Sequence, residues 1–200
     1  MKSWTKAVLI SEAVLVAAVT ASPAWAGGIK GKVAVQGIRS AENIAVYVDA
    51  IPGKDFPAPA QHVVMDQKDL KFVPHILPVL VGTTVDFMNS DPVAHNVFSP
   101  DGEKYNLGTW PQGATRAYTF KQAGVYAQLC HVHPEMEGFI VVLQNPYFVL
   151  AGEDGKYELK NVPVGSYTLV AWNEKMEAGR VEVTVRTGET TPADIELKRK

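Results

Sequence analysis

Gly124-Val125-Tyr126-Ala127-Gln128-Leu129-Cys130-His131-Val132-His133-Pro134-Glu135-Met136-Glu137-Gly138-Phe139-Ile140-Val141-Val142-Leu143 is the stretch on which the reading of this chain turns. Val125 to Cys130 and Gly138 to Leu143 are short β-rich apolar runs, which read as strands. Between them the seven residues Cys130 to Met136 hold a thiolate, two imidazoles and a thioether. Cys130 ends the first strand with its side chain inward. A tight loop then returns His133 to the same point. Pro134 stiffens that loop, and the Met136 sulfur follows three residues after His133.

Outward from this stretch the pattern stays β. Lys32 to Val35, Ile44 to Val48, Thr84 to Phe87, Ala117 to Phe120, Tyr157 to Leu159, Tyr167 to Trp172, Val181 to Val185 and Ile195 to Leu197 alternate or are rich in β formers. Gly82, Gly113, Gly124, Gly155, Gly165 and Gly188 punctuate them. Short strands at near-regular spacing predict an all-β sandwich architecture. No convincing amphipathic helix follows the N-terminal segment, so parallel βαβ folds and their nucleotide sites drop out. Neither a Gly-rich phosphate loop nor an HExxH helix is present.

The 200 residues are 46% hydrophobic, 20% charged and 9% aromatic, which sets aside disorder, collagen and coiled coil. A formal charge of −2 gives no basic field for nucleic acid. Lys2 and Lys6, the apolar run Ala7 to Val19 and the Ala24-Trp25-Ala26 cleavage pattern predict a signal peptide over residues 1–26. The mature chain is then periplasmic or secreted, with no membrane span. A single cysteine excludes an internal disulfide and a Cys-only zinc site. In an oxidising compartment a lone cysteine calls for another role, such as metal ligation.

A second cluster, Ala94-His95-Asn96-Val97-Phe98, lies upstream of the loop. Two histidines, a cysteine and a weak axial methionine are the donors of a blue-copper electron-transfer site. Sulfur donors suit copper better than calcium or magnesium. Taken singly, Cys130 reads as apolar filler, Met136 as core and His95 as a turn residue; their joint spacing is what points to a metal.

Residues 62–143 resemble the cupredoxins, most closely the amicyanin and plastocyanin branch. The parts run in that family's order: Phe72-Val73-Pro74, Val81 to Phe87, Asn89-Ser90-Asp91, His95-Asn96-Val97, Tyr118-Thr119-Phe120, Gly124-Val125-Tyr126, the Cys-x2-His-x2-Met loop, and Gly138 to Val142. The resemblance implies a Greek-key sandwich with one type 1 copper held by His95, Cys130, His133 and Met136. It also implies a hydrogen bond from Asn96 to the thiolate. Two residues depart from the amicyanin pattern. Val132 stands where those loops carry proline, so its N–H offers the thiolate a second hydrogen bond. His131 follows the cysteine directly; strand alternation turns it away, as a surface residue, and the competing reading makes it an accessory ligand. His62 and His75 read as structural or surface residues, Glu135 and Glu137 as solvated, and Met65 and Met88 as core filler.

Around this segment lies a second β pattern. Asp154-Gly155 is a hairpin turn signal, and Asn161-Val162-Pro163-Val164-Gly165 separates two further strands. The pattern resembles the carboxypeptidase regulatory-like, or transthyretin-like, β-sandwich. Its opening strands, Gly31-Lys32-Val33 and Asn43 to Val48, precede the copper segment. The expected organisation is therefore discontinuous: 27–60 and 146–200 form one small sandwich, with the copper domain at 61–145 inserted.

The expected function is a periplasmic electron carrier that exchanges single electrons with a redox partner docking near His133. Pro92, Val93, Ala94, Phe98, Pro134 and Met136 are the expected docking patch. The alternative is copper storage or delivery, or partner docking, through the same site. An enzyme is disfavoured, because four donors leave no open coordination position and no general base is grouped nearby.

Overall fold

The structure is a computed structural model that describes residues 26–35 and 42–200. The expected signal peptide lies outside these residues, except for Ala26. Eighteen strands and no helix are found among the described residues. In order they are β1 (Ala26–Val35), β2 (Ala45–Val48), β3 (Val63–Lys68), β4 (Lys71–Val73), β5 (Ile76–Leu80) and β6 (Thr84–Asn89). Then come β7 (His95–Ser99), β8 (Tyr105–Trp110), β9 (Thr115–Thr119), β10 (Gly124–Leu129), β11 (Glu137–Leu143) and β12 (Phe148–Leu150). The chain closes with β13 (Lys156–Pro163), β14 (Gly165–Trp172), β15 (Met176–Glu177), β16 (Gly179–Val185), β17 (Thr190–Pro192) and β18 (Ile195–Arg199).

They build four sheets, ordered β13-β1-β18-β15 with β17 beside β1, β12-β2-β14-β16, β5-β11-β10-β7-β8, and β4-β3-β6-β9. Three buried apolar clusters fix how the sheets stack. Ile29, Val33, Val46, Leu169, Val183 and Leu197 fill the space between the first two. Phe72, Phe87, Val97, Trp110, Phe120 and Ile140 fill the space between the last two. Ala45 and Trp172 on one side meet Ile76, Val141 and Leu143 on the other in the third cluster, which joins the two pairs. The layers are therefore stacked four deep.

This stacking explains why β2 and β11 read as continuous apolar runs. Val46 and Val48 point into the first core, while Ala45 and Tyr47 point into the joining layer. Ile140 and Val142 point into the core of Phe72 and Phe87, while Phe139, Val141 and Leu143 point into the joining layer. A strand covered on both faces has no polar side to alternate with.

Strand β1 is internal: it runs antiparallel to β13 and parallel to β17 and β18. Gly31 in that strand is pressed against the chain at Ala193, where a Cβ would stand 1.7 Å from a carbonyl oxygen. Met65 is core filler as expected, but Met88 is not: it is 39% exposed, on the outward side of β6. Gly31→Ala should lower the unfolding free energy by about 3 kcal/mol, as backbone overpacking does. Urea denaturation would show it, and an unchanged midpoint would contradict the close packing of β1 on residue 193.

Candidate metal centre

The core of Phe72 and Phe87 also holds Cys130 and Met136 of the loop between β10 and β11, close to the first residue of β7. Three donor atoms meet there: those of His95, Cys130 and His133 all lie within 4.8 Å of one another. His95 and Cys130 are buried, and the His133 ring is partly exposed.

Each donor is held from behind. Asp91 Oδ2 accepts from His95 Nε2–H at 2.8 Å. With the proton fixed on Nε2, the neutral His95 ring presents Nδ1 as a lone pair. His133 Nδ1 lies 3.0 Å from that nitrogen, so both imidazoles aim at one point. The same Asp91 carboxylate accepts the N–H groups of Asp69 at 2.6 Å and Leu70 at 3.0 Å. Those two residues form the β3–β4 turn with φ of 55° and 56°. A left-handed conformation costs a non-glycine residue roughly 1–2 kcal/mol, and the carboxylate offsets it. Asn89 Oδ1 in turn accepts the Asp91 N–H at 2.9 Å. Burial alone would push the Asp91 pKa up, but the hydrogen bonds from Leu70, His95 and Asp69 outweigh it and hold the carboxyl below its ordinary value.

Cys130 Sγ accepts the Asn96 N–H at 3.4 Å. Asn96 Oδ1 accepts the His131 N–H at 3.4 Å, and Asn96 Nδ2 donates to Asn106 Oδ1 and Gly108 O. The second bond expected at the sulfur is not formed: Val132 is 48% exposed at the outer side of the loop, and Asn96 is the one donor to Sγ among the described residues. The physical reason is the loop's direction. The residue two beyond the cysteine leads the chain outward before Met136 N–H turns it back onto His133 O at 3.0 Å.

Met136 is fully buried in the same cluster as Cys130. It therefore cannot contribute to the surface patch expected from the sequence. His131 is not brought to the donors. Its ring lies flat on Phe98 with centroids 3.8 Å apart and planes 4° apart. His62 pairs with Asp86 at the surface, and His75 with Glu174. Sequence reasoning missed the role of Asp91. Its one local signal is the Asn89-x-Asp91 turn, and the four-residue separation of Asp91 and His95 predicts a contact only once that turn is known.

The donor chemistry fits copper: two imidazole nitrogens and one thiolate converge, with a thioether buried in the same core. Sequence comparison with known proteins agrees. Residues 59–143 match the family model described as copper binding proteins, plastocyanin/azurin family. An amicyanin from Paracoccus versutus is 26% identical over 133 residues, covering 64% of this chain and 99% of the amicyanin. Among solved structures, a copper-containing nitrite reductase from Thermus scotoductus aligns with TM-score 0.41 and 26% identity, over 49% of this chain and 25% of its own length. A purple cupredoxin from Nitrosopumilus maritimus aligns with TM-score 0.38 and 27% identity, over 40% of this chain and 98% of its own. Residues 59–143 thus resemble the plastocyanin/azurin family of copper-binding proteins in sequence, and copper is the cofactor that their donor set fits.

Two outcomes follow. Asp91→Ala should cost the metal-free protein about 3 kcal/mol, since three N–H groups lose a charged acceptor. It should also weaken copper binding about 10–100-fold, as outer partners of ligating histidines do. Urea unfolding and competition titration measure the two, and an unchanged copper affinity would refute the role of Asp91. Val132→Pro should move the reduction potential by less than about 40 mV, the equivalent of one hydrogen bond of about 1 kcal/mol. A larger fall in voltammetry would mean that the Val132 N–H does reach the sulfur.

Proposed function

We propose that this chain is a periplasmic or secreted carrier of single electrons, with one type 1 copper held by His95, Cys130, His133 and Met136. The observation that supports it most is the convergence of His95, Cys130 and His133 from β7 and the β10–β11 loop onto one point. Bound copper supplies a one-electron couple between Cu(I) and Cu(II). The protein supplies fixed geometry: His95 is held by Asp91, the sulfur by Asn96, and the Met136 side chain by full burial. Donors already held in place need little rearrangement when the metal changes charge, which favours fast transfer.

His133 is the one donor whose ring reaches the surface. Val132 and Pro134 flank it in the chain and are exposed, as are Pro92, Val93 and Ala94, which precede His95. An exposed apolar rim around a partly exposed metal ligand suits transient docking of a redox partner. Four protein donors leave no position for a substrate, so a carrier is preferred over an enzyme.

In this reading the copper domain spans 61–145 and is inserted in a second sandwich made of 27–60 and 146–200, of the carboxypeptidase regulatory-like type. The shared cluster of Val46, Leu169 and Val183 supports that division, as does the pairing of β2 with β12 and β14.

Addition of Cu(II) to the metal-free protein should produce an intense blue thiolate-to-copper band at one equivalent, and Cys130→Ser should abolish it. Met136→Ala should keep a thiolate band but alter its position and the reduction potential. A folded protein that stays colourless with copper would end the proposal.

A further inference from the structure

We propose that Trp172 and Glu174 are positioning residues for the copper centre: from the neighbouring sheet they brace β11, the strand that leaves the ligand loop at Met136. This deepens the copper reading and rests on it. Phe139 stands three residues after Met136, and its ring is clasped from two sides. Trp172 meets it edge to face, with centroids 5.7 Å apart. His75 meets it edge to face, also at 5.7 Å. The Phe139 N–H donates to His75 O at 2.7 Å, so ring and backbone are held by the same residue.

His75 is itself anchored from the other sheet. Its Nε2–H donates to Glu174 Oε1 at 3.0 Å, and Glu174 lies two residues beyond Trp172. The contacts therefore close a ring: Trp172 to Phe139, Phe139 to His75, His75 to Glu174, and back along the chain. Glu174 Oε2 is buried and has no partner. A buried carboxylate oxygen without a donor is costly. The group is kept at a place where its other oxygen ties the two pairs of sheets together. Gly138 completes the arrangement, because a Cβ there would stand 2.6 Å from Phe72 Cβ. The chain between Met136 and Phe139 is thus wedged between Phe72 on one side and the Trp172 brace on the other. Holding this segment in place holds Met136 and, through its N–H to His133 O, the ligand loop.

The test uses the full chain carrying Trp172→Ala, Trp172→Phe, Glu174→Gln or Val183→Ala. The last removes buried volume from the other core, away from β11. Amide hydrogen exchange at Gly138 and Phe139 is followed in metal-free protein, and transfer of Cu(I) to excess chelator in the loaded protein. Trp172→Ala should speed exchange there about tenfold, equivalent to roughly 1.4 kcal/mol, and speed copper release several-fold. Glu174→Gln should do the same more weakly, and Trp172→Phe should restore both rates. Val183→Ala should lower the thermal midpoint and leave both rates alone. Wild-type rates in Trp172→Ala and Glu174→Gln, or equal acceleration in Val183→Ala, would overturn the brace. If Trp172→Ala fails to fold, Glu174→Gln decides: wild-type rates in that variant would overturn the brace. A wild-type protein that takes up no copper would remove the copper reading, and the exchange rates would still decide whether β11 is braced.

Discussion

Asn96 is the point on which the site depends. The histidine next to it and the cysteine it faces come from chain segments thirty-odd residues apart, and nothing covalent holds them together. Asn96 joins them with its whole polar inventory. Its backbone N–H meets Cys130 Sγ, its side-chain oxygen takes the His131 N–H, and its amide nitrogen reaches β8. The bond to the sulfur lies where water is nearly excluded, so it is both stronger and more costly to lose than one at the surface. An N–H aimed at a thiolate also withdraws charge from the sulfur, which ties the fold to the electronic character of the site. The hub needs β7 and β8 paired in the observed register, with His95 opposite Trp110 and Asn96 opposite Thr109.

Much of this was legible in the chain. The runs flanking the ligand loop are β10 and β11, and residue type and spacing pointed to Cys130 and His133, which the structure brings together with His95. What was not legible has identifiable causes. Strand β5, Ile76-Leu77-Pro78-Val79-Leu80, carries a proline that cannot donate to a ladder and so weakens a strand reading. Strands β4, β12 and β17 are three residues each, too short for any period to show. Strand β7 is buried at four of its five positions, with polar His95, Asn96 and Ser99 among them. Their burial is set by partners distant in sequence, not by a local pattern. The orientation of the Val132 N–H is likewise a property of the folded loop. Residue identity shows that a donor exists, and only the path of the chain shows where it points.

Asp91 shows how a site recruits a segment that holds no ligand. Its carboxylate fixes the His95 tautomer and at the same time satisfies two N–H groups of a left-handed turn that lacks glycine. Neither partner would be stable in that geometry alone. The turn would expose strained backbone, and the histidine would be free to present the wrong nitrogen. One buried anion resolves both, and its cost of burial is offset by three donors.

The apolar outer face of β11 has a consequence for how the layers move. Domains within a chain usually meet through polar, yielding interfaces and shift against one another. Here the joining layer is Phe139, Val141, Leu143 and Ile76 against Ala45, Tyr47, Phe148, Leu150 and Trp172. Ile76, Val141 and Leu143 are buried there and contribute about 1.5–3 kcal/mol each relative to exposure, so separating the layers would cost several times thermal energy. The same strand whose outer face makes that layer begins one residue after Met136. A metal centre whose ligand loop is continuous with such a layer cannot relax independently of it. The β2-β14 sheet thus backs the strand that leaves the ligand loop, although none of its residues is among the converging donors His95, Cys130 and His133.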